Sequence, residues 1–104
     1  MCVLLEMAMF PTDQGESKSE YVAQVIKLIR ERGYSYQLTS MGTIIETSEI
    51  SQALKLVEEC YKVLESNDCN RVYATLTFDI RKGHDNRLES KIKSIEKHIG
   101  EVSK

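Results

Sequence analysis

Met41-Gly42-Thr43-Ile44-Ile45-Glu46 sets a turn residue, a β-branched run and a carboxylate in immediate succession. Thr-Ile-Ile suits a pleated, half-buried strand. An ionised Glu is costly to bury unpaired, so a strand carrying one aims it at water, a partner or a ligand. Glu46 is therefore the first candidate functional residue. Gly42 reads as a turn former, and Tyr36-Gln37-Leu38-Thr39 as the strand that enters the turn.

Outward from this turn, residues 2–10, 34–39, 43–47 and 72–81 read as strands, each rich in β-branched, aromatic or alternating apolar residues. Helical stretches fall near residues 18–32 and 51–66. In the first, Tyr21, Val22, Val25, Ile26 and Ile29 recur at helical spacing, Ser17 with Glu20 forms a capping box, and Gly33 supplies a C-terminal stop. The second places Ile50, Ala53, Leu54, Val57, Cys60, Tyr61 and Leu64 on one face. It leaves Lys55, Glu58, Glu59, Lys62 and Glu65 for solvent and ends near Asn67-Asp68. A third amphipathic pattern, Leu88, Ile92, Ile95, Ile99 and Val102, opens at Asn86 with Glu89 three residues on. The tail 100–104 is expected to fray.

This order, βαββαβ plus a C-terminal helix, predicts an α+β ferredoxin-like sandwich. Two helices cover one face of a four-stranded antiparallel sheet ordered 4-1-3-2, and the other face is open. Alternation assigns side chains to the faces. On strand four Val72, Ala74, Leu76, Phe78 and Ile80 form the apolar set, leaving Tyr73, Thr75, Thr77, Asp79 and Arg81 for the open face. Strand one sends Val3, Leu5, Met7 and Met9 toward the helices and Cys2, Leu4, Glu6, Ala8 and Phe10 outward. Strand three sends Ile45 inward and Ile44 with Glu46 outward, although a run this short also reads the other way. Glu6 and Glu46 then share the open face, flanked by Gln37, Thr39, Thr75 and Thr77. Neighbouring carboxylates repel unless a cation or donor sits between them. A cationic ligand is one solution; Arg81, Lys82, a neighbouring subunit or water is the other.

At 104 residues the chain is expected to form one domain, 1–104, burying roughly 65% of the surface its unfolded form exposes. Hydrophobic residues at 41%, charged residues at 29% and Pro11 as the sole proline describe an ordered globular chain. A net charge of −2 and a pI near 5.7 leave no electrostatic footprint for nucleic acid or an acidic membrane. No apolar run approaches the about 20 residues that span a bilayer, and no basic leader precedes the first strand, so the expected setting is cytoplasmic. Cys2, Cys60 and Cys69 are odd in number and lack a CxxC spacing, which points to reduced thiols rather than disulfides or zinc.

Catalytic motifs are sparse. His84, in the polar loop 82–87, and His98, beside Lys97, have no metal-like partner at helical or turn spacing and are expected to be exposed. The glycines form neither GxGxxG nor a P-loop, no GxSxG is present, and no Cys has a nearby His. One enzymatic reading stands, a hydrolase or isomerase using Glu6 and Glu46 as an acid/base pair. The basic residues from Arg81 to Lys97 are diluted by Asp79, Asp85, Glu89 and Glu96, as on a solvated helix face. An RNA-recognition module shares this strand order but stacks bases on exposed aromatics of its central strands, a need Phe10 and Tyr73 meet weakly.

In length, strand order and the signature Ser40-Met41-Gly42-Thr43-Ile44-Ile45-Glu46, the chain resembles the small thiamine-binding proteins of the YkoF-like family. Asn70-Arg71-Val72-Tyr73, Asp79-Ile80-Arg81 and Lys91-Ile92 extend the likeness. The chain departs from the family at Ser40, where members often carry Pro, and at Tyr61, which aligns with a His. The resemblance implies a non-enzymatic, cytoplasmic binder of thiamine or its hydroxymethylpyrimidine part, with no cofactor. It also implies a homo-oligomer, a dimer or a dimer of dimers. Under it, Glu46 accepts a hydrogen bond from the aminopyrimidine and Glu6 or Asp79 balances positive charge. Thr39, Thr43 and Thr75 are polar contacts, and Ser19 joins them if assembly brings it near. The alternative is a structural or regulatory homo-oligomer without a small molecule, using the open face, with Leu4, Phe10, Ile44 and Tyr73, as its interface.

Overall fold

The computed structural model describes residues 2–15, 18–83 and 87–102, without the side chains at 87, 90 and 91. The elements follow in the expected order: β1 (Cys2–Pro11), α1 (Lys18–Glu31), β2 (Ser35–Leu38), β3 (Thr43–Thr47), α2 (Ile50–Ser66), β4 (Val72–Arg81) and α3 (Arg87–Ile99). The strands form one four-stranded antiparallel sheet, β2-β3-β1-β4. This is 4-1-3-2 read from the opposite edge, consistent with a ferredoxin-like sandwich. Ser17, Asn86 and His84, which carried the expected caps and an exposed histidine, lie outside the described residues.

β1 is central, and its alternation decides which face is dry. Val3, Leu5, Met7 and Met9 are buried, while Glu6 is exposed. Leu5 stands between Ile45 on β3 and Phe78 on β4. α1 adds Val25 and Ile29, and α2 adds Ala53, Leu56, Cys60 and Leu64. Burying an aliphatic side chain of Leu or Ile size stabilises by about 1.5–3 kcal/mol, so this cluster is the main source of cohesion.

The α2 stripe corrects the expected one. Leu56 belongs to it, whereas Leu54 and Tyr61 are exposed. Each of those two lies one position round the helix from a buried neighbour, which turns it away from the sheet. The helix opens with the Gln52 side chain accepting the N–H groups of Ser48 and Glu49, at 3.1 and 2.9 Å. It closes on Asp68 at φ 61, with the Asp68 N–H on the Glu65 carbonyl and the Cys69 N–H on that of Leu64. That left-handed position favours glycine. Asp68→Gly is expected to raise stability by about 0.5–1 kcal/mol, read as a higher denaturation midpoint.

β4 is less covered than its alternation implies. Its register sets Ile80, Phe78, Leu76 and Ala74 opposite the buried residues of β1, yet Leu76 is 40% and Ile80 48% exposed. Only Val72 and Phe78 pack on the core. The cause is position: β4 is an edge strand, and α1 and α2 lie mainly over the strands inside it.

Gly42 is needed for space rather than for an unusual φ. A Cβ at this position would stand 2.9 Å from the Met7 carbonyl oxygen on β1. The turn itself is held by Thr39. Its N–H and its hydroxyl both donate to the Gly42 carbonyl, at 2.8 and 2.9 Å, and the hydroxyl oxygen accepts from the N–H groups of Met41 and Gly42. Gly42→Ala is expected to destabilise by about 1–2 kcal/mol through overpacking against backbone. Urea denaturation should show it, with exposed Ser40→Ala near neutral.

Candidate ligand-binding site

Strand register arranges the face opposite α1 and α2 in ranks. Ser35, Glu46, Leu4 and Asp79 stand side by side; Gln37, Ile44, Glu6 and Thr77 form the next rank; Ala8 pairs with Thr75 and Phe10 with Tyr73 beyond. Ile44 and Glu46 thus share a face with Glu6. Glu6 is diagonal to both Glu46 and Asp79, about 7–8 Å away along the lattice. The carboxylates are staggered around Leu4 rather than directly opposed. At the far end the Phe10 and Tyr73 rings lie 5.7 Å apart, with the Lys18 ammonium 5.2 Å from the Phe10 ring.

This face is not left open, as the sequence reading had it. α3 lies across β3 and β1, and the Leu88 N–H donates to Glu46 Oε1 at 2.8 Å. The reason is mutual need. The first turn of a helix has N–H groups without intrahelical acceptors and favours a negative charge, while a half-buried carboxylate needs a donor. Leu88 and Ile92 gain cover at the same time and become half-buried. Beside them a cleft of about 240 Å³ opens, lined by Ser35, Tyr36, Gln37, Glu46, Leu88, Glu89 and Ile92. Residues 100–102 are also tied in: Gly100 ends the helix, and the half-buried Val102 donates its N–H to the Glu96 carboxylate at 3.0 Å.

Two further cavities flank α1. One, of about 220 Å³, lies against the turn 39–42 and includes Met9, Ile26, Leu38, Thr39 and Thr43. The other, of about 390 Å³, follows α1 from Ser19 to Arg30. They share Val22, Ile26 and Leu38. The sequence-nominated residues therefore separate. Glu6, Glu46, Thr75 and Asp79 share the α3 side; Ser19, Thr39 and Thr43 belong to the α1 side. Thr43 is buried opposite Met7, and the Thr39 hydroxyl is committed to the turn. One chain does not bring all seven together.

Leu88, Glu89 and Ile92 were not foreseen as site residues. Their signal was present, in a carboxylate without an assigned donor and an amphipathic helix without an assigned cover. Elsewhere, burial pushes the Cys60 thiol up to about 12 and also raises that of Cys69, so both are inert packing groups. Among the described residues no cluster of His, Cys, Asp and Glu could hold a metal ion, and no helix is long and apolar enough to cross a membrane.

The architecture places the protein among small α+β sandwiches that present a carboxylate-bearing sheet face and shallow clefts. More particularly, residues 5–96 match the family model described as thiamine-binding protein, and the chain belongs to that family. It is 31% identical over 93 residues to UPF0045 protein MJ1052 of Methanocaldococcus jannaschii, covering 89% of this chain and 91% of that one. It is 34% identical over 87 residues to UPF0045 protein YqgV of Bacillus subtilis, covering 80% and 83%. The crystal structure of MJ1052 superposes with a TM-score of 0.77 at 33% identity, over 90% of this chain and 95% of the other. A candidate thiamine biosynthesis/salvage protein of Thermotoga maritima shares the fold, with a TM-score of 0.78 at 21% identity over 91% and 99% of the two chains.

Proposed function

We propose that this protein binds thiamine or its hydroxymethylpyrimidine part, without transforming it, in the cleft where Glu46 meets α3. The observation that carries this reading is Glu46, a half-buried carboxylate fixed by the Leu88 N–H beside an apolar wall of Leu88 and Ile92. An aminopyrimidine offers donors and acceptors that a carboxylate, the Gln37 amide and the Ser35 hydroxyl match. At about 240 Å³ the cleft is smaller than the roughly 300 Å³ at which sites for drug-sized ligands begin. It suits one ring, with the cationic thiazolium directed outward toward Glu6, Asp79 and Thr75. Ser19, Thr39 and Thr43 take part only if a second copy brings its α1 side to the ligand. Family membership supports a binder over an enzyme, and the free thiols of Cys2, Cys60 and Cys69 fit a reducing, cytoplasmic setting.

Assembly into a dimer or a dimer of dimers is part of the proposal. The uncovered apolar residues of β4 and its unpaired edge support it. They also favour the second reading, a homo-oligomer without a small molecule. Calorimetric titration separates the two. Saturable heat with thiamine or hydroxymethylpyrimidine, and recovery of the compound unchanged after long incubation, is the expected result. No heat from either compound overturns the ligand reading, and consumption of the compound would make the protein an enzyme.

A further inference from the structure

The two cavities that flank α1 adjoin, because Val22, Ile26 and Leu38 line both. The inner one, against the Gly42 turn, has no charged residue in its lining, and Leu38 and Met41 stand exposed at its rim. The outer one follows α1 from Ser19 to Arg30, about 16 Å of helix at 1.5 Å a residue. At about 390 Å³ it reaches the roughly 300–1,000 Å³ of small-molecule sites, which the Glu46 cleft does not. Its charge is also opposite to that of the cleft. Lys27 and Arg30 line it, and among the described residues no carboxylate does. Three apart on a helix, they are neighbours about 5–6 Å from each other at Cβ. Neither forms an ion pair among the described residues, whereas Arg32, two positions on, is held by Glu59 of α2.

We propose that this groove is a second binding site, separate from the Glu46 cleft, for a small aliphatic carboxylate. Its chain lies along Val22, Ile26 and Leu38 toward the Gly42 turn, and Lys27 and Arg30 hold its carboxylate. Charge selects the occupant. A cationic thiazolium would meet two like charges here, while an anion neutralises a pair of cations that otherwise repel each other. The Arg30 guanidinium offers a planar fork that matches the two oxygens of a carboxylate, and Lys27 adds a point charge beside it. Phosphate suits the position less well. Arg30 lies in the last turn of α1, where the helix dipole is negative and presents carbonyls; phosphate sites favour the N–H groups of the opposite end. The apolar part of the groove sets the rest of the ligand. An uncharged lining with an adaptable methionine at its mouth takes a chain or a small ring and gives no hydrogen bond to a polar one. This site stands independently of the thiamine reading, since it shares no residue with the lining of the Glu46 cleft.

The test is calorimetric titration of the full chain with octanoate, with octanol and octyl phosphate as comparisons. Saturable heat with octanoate, and less affinity for the other two, is the expected result. Lys27→Gln with Arg30→Gln should weaken octanoate roughly ten-fold or more, the effect of losing a charge-assisted hydrogen bond. Far-UV circular dichroism should not change, because both side chains are exposed. Ala23→Glu, at an exposed position in the lining, sets a carboxylate against the ligand and should weaken it as well; it carries the comparison if the double variant loses structure. No heat with octanoate overturns the site, and so does equal affinity in parent and variants. Octanol binding as tightly as octanoate removes the role of Lys27 and Arg30, and tighter octyl phosphate overturns the carboxylate assignment. Octanoate titrated into thiamine-saturated protein should bind as before. Displacement of one by the other would mean a single shared site, while loss of thiamine binding alone leaves the α1 site intact.

Discussion

Leu5→Ala is expected to lower stability by about 3 kcal/mol, within the range for a buried leucine truncated to alanine. Leu5 has no exposed surface and stands on the central strand between Ile45 and Phe78. Strands on both sides and helices above it prevent the site from collapsing around the void, so lost transfer energy and cavity add. In a domain near 100 residues each kcal/mol shifts the melting temperature by about 4–8 °C, which puts the expected fall at roughly 12–24 °C. Leu4→Ala, on the other face and half-buried, should lose clearly less. Equal losses at the two positions, by calorimetry or urea, would mean that the buried face is assigned wrongly.

Glu46→Gln has the largest expected effect on binding. The amide keeps a carbonyl oxygen for the Leu88 N–H, so α3 stays in place, but the negative charge is gone. A hydrogen bond to a charged group contributes about 1.5–3 kcal/mol, and affinity for thiamine or hydroxymethylpyrimidine should drop roughly ten- to a hundred-fold. Circular dichroism and the melting curve serve as controls, and little change is expected in either. If the variant binds as tightly as the parent, the ligand is not at Glu46. Attention then moves to the cavities along α1, where Leu38, lining both, is the residue to replace.

Much of this architecture is legible from periodicity. The alternation of β1 and the helical spacing of Val25 and Ile29 place the core correctly, because solvent imposes one periodicity on a strand and another on a helix. The parity of β3, ambiguous in so short a strand, is settled by its register with β1 and β2, which sends Glu46 and Ile44 outward. Alternation says which side of β4 is apolar but not whether a helix lies over it, so the exposure of Leu76 and Ile80 could not be read. Gly42 shows the same limit: its proximity to Met7 is a relation between distant segments, invisible in the turn. For the site, Glu46 was legible as a carboxylate in need of a partner. The identity of that partner, an N–H at the head of α3, depends on how a helix lies across the sheet, which no local pattern encodes.

The pairing of β1 with β4, from Cys2 against Arg81 to Pro11 against Val72, has a consequence for how the chain acquires its shape. Of the four strands of this sheet the first in sequence, β1, is an inner one, and one of its two neighbours, β4, is the last in sequence. Until β4 joins, β1 can pair only with β3, and its other edge waits beside an apolar core that is already forming. Such distant closure is slow, on the millisecond-to-second scale typical of non-local topologies. The half-closed sheet, with β1 for an edge, would be the species most exposed to aggregation and to chaperone capture. A chain cut short before residue 72 would therefore have α1 and α2 to cover one face of the sheet and the β1 edge unsealed.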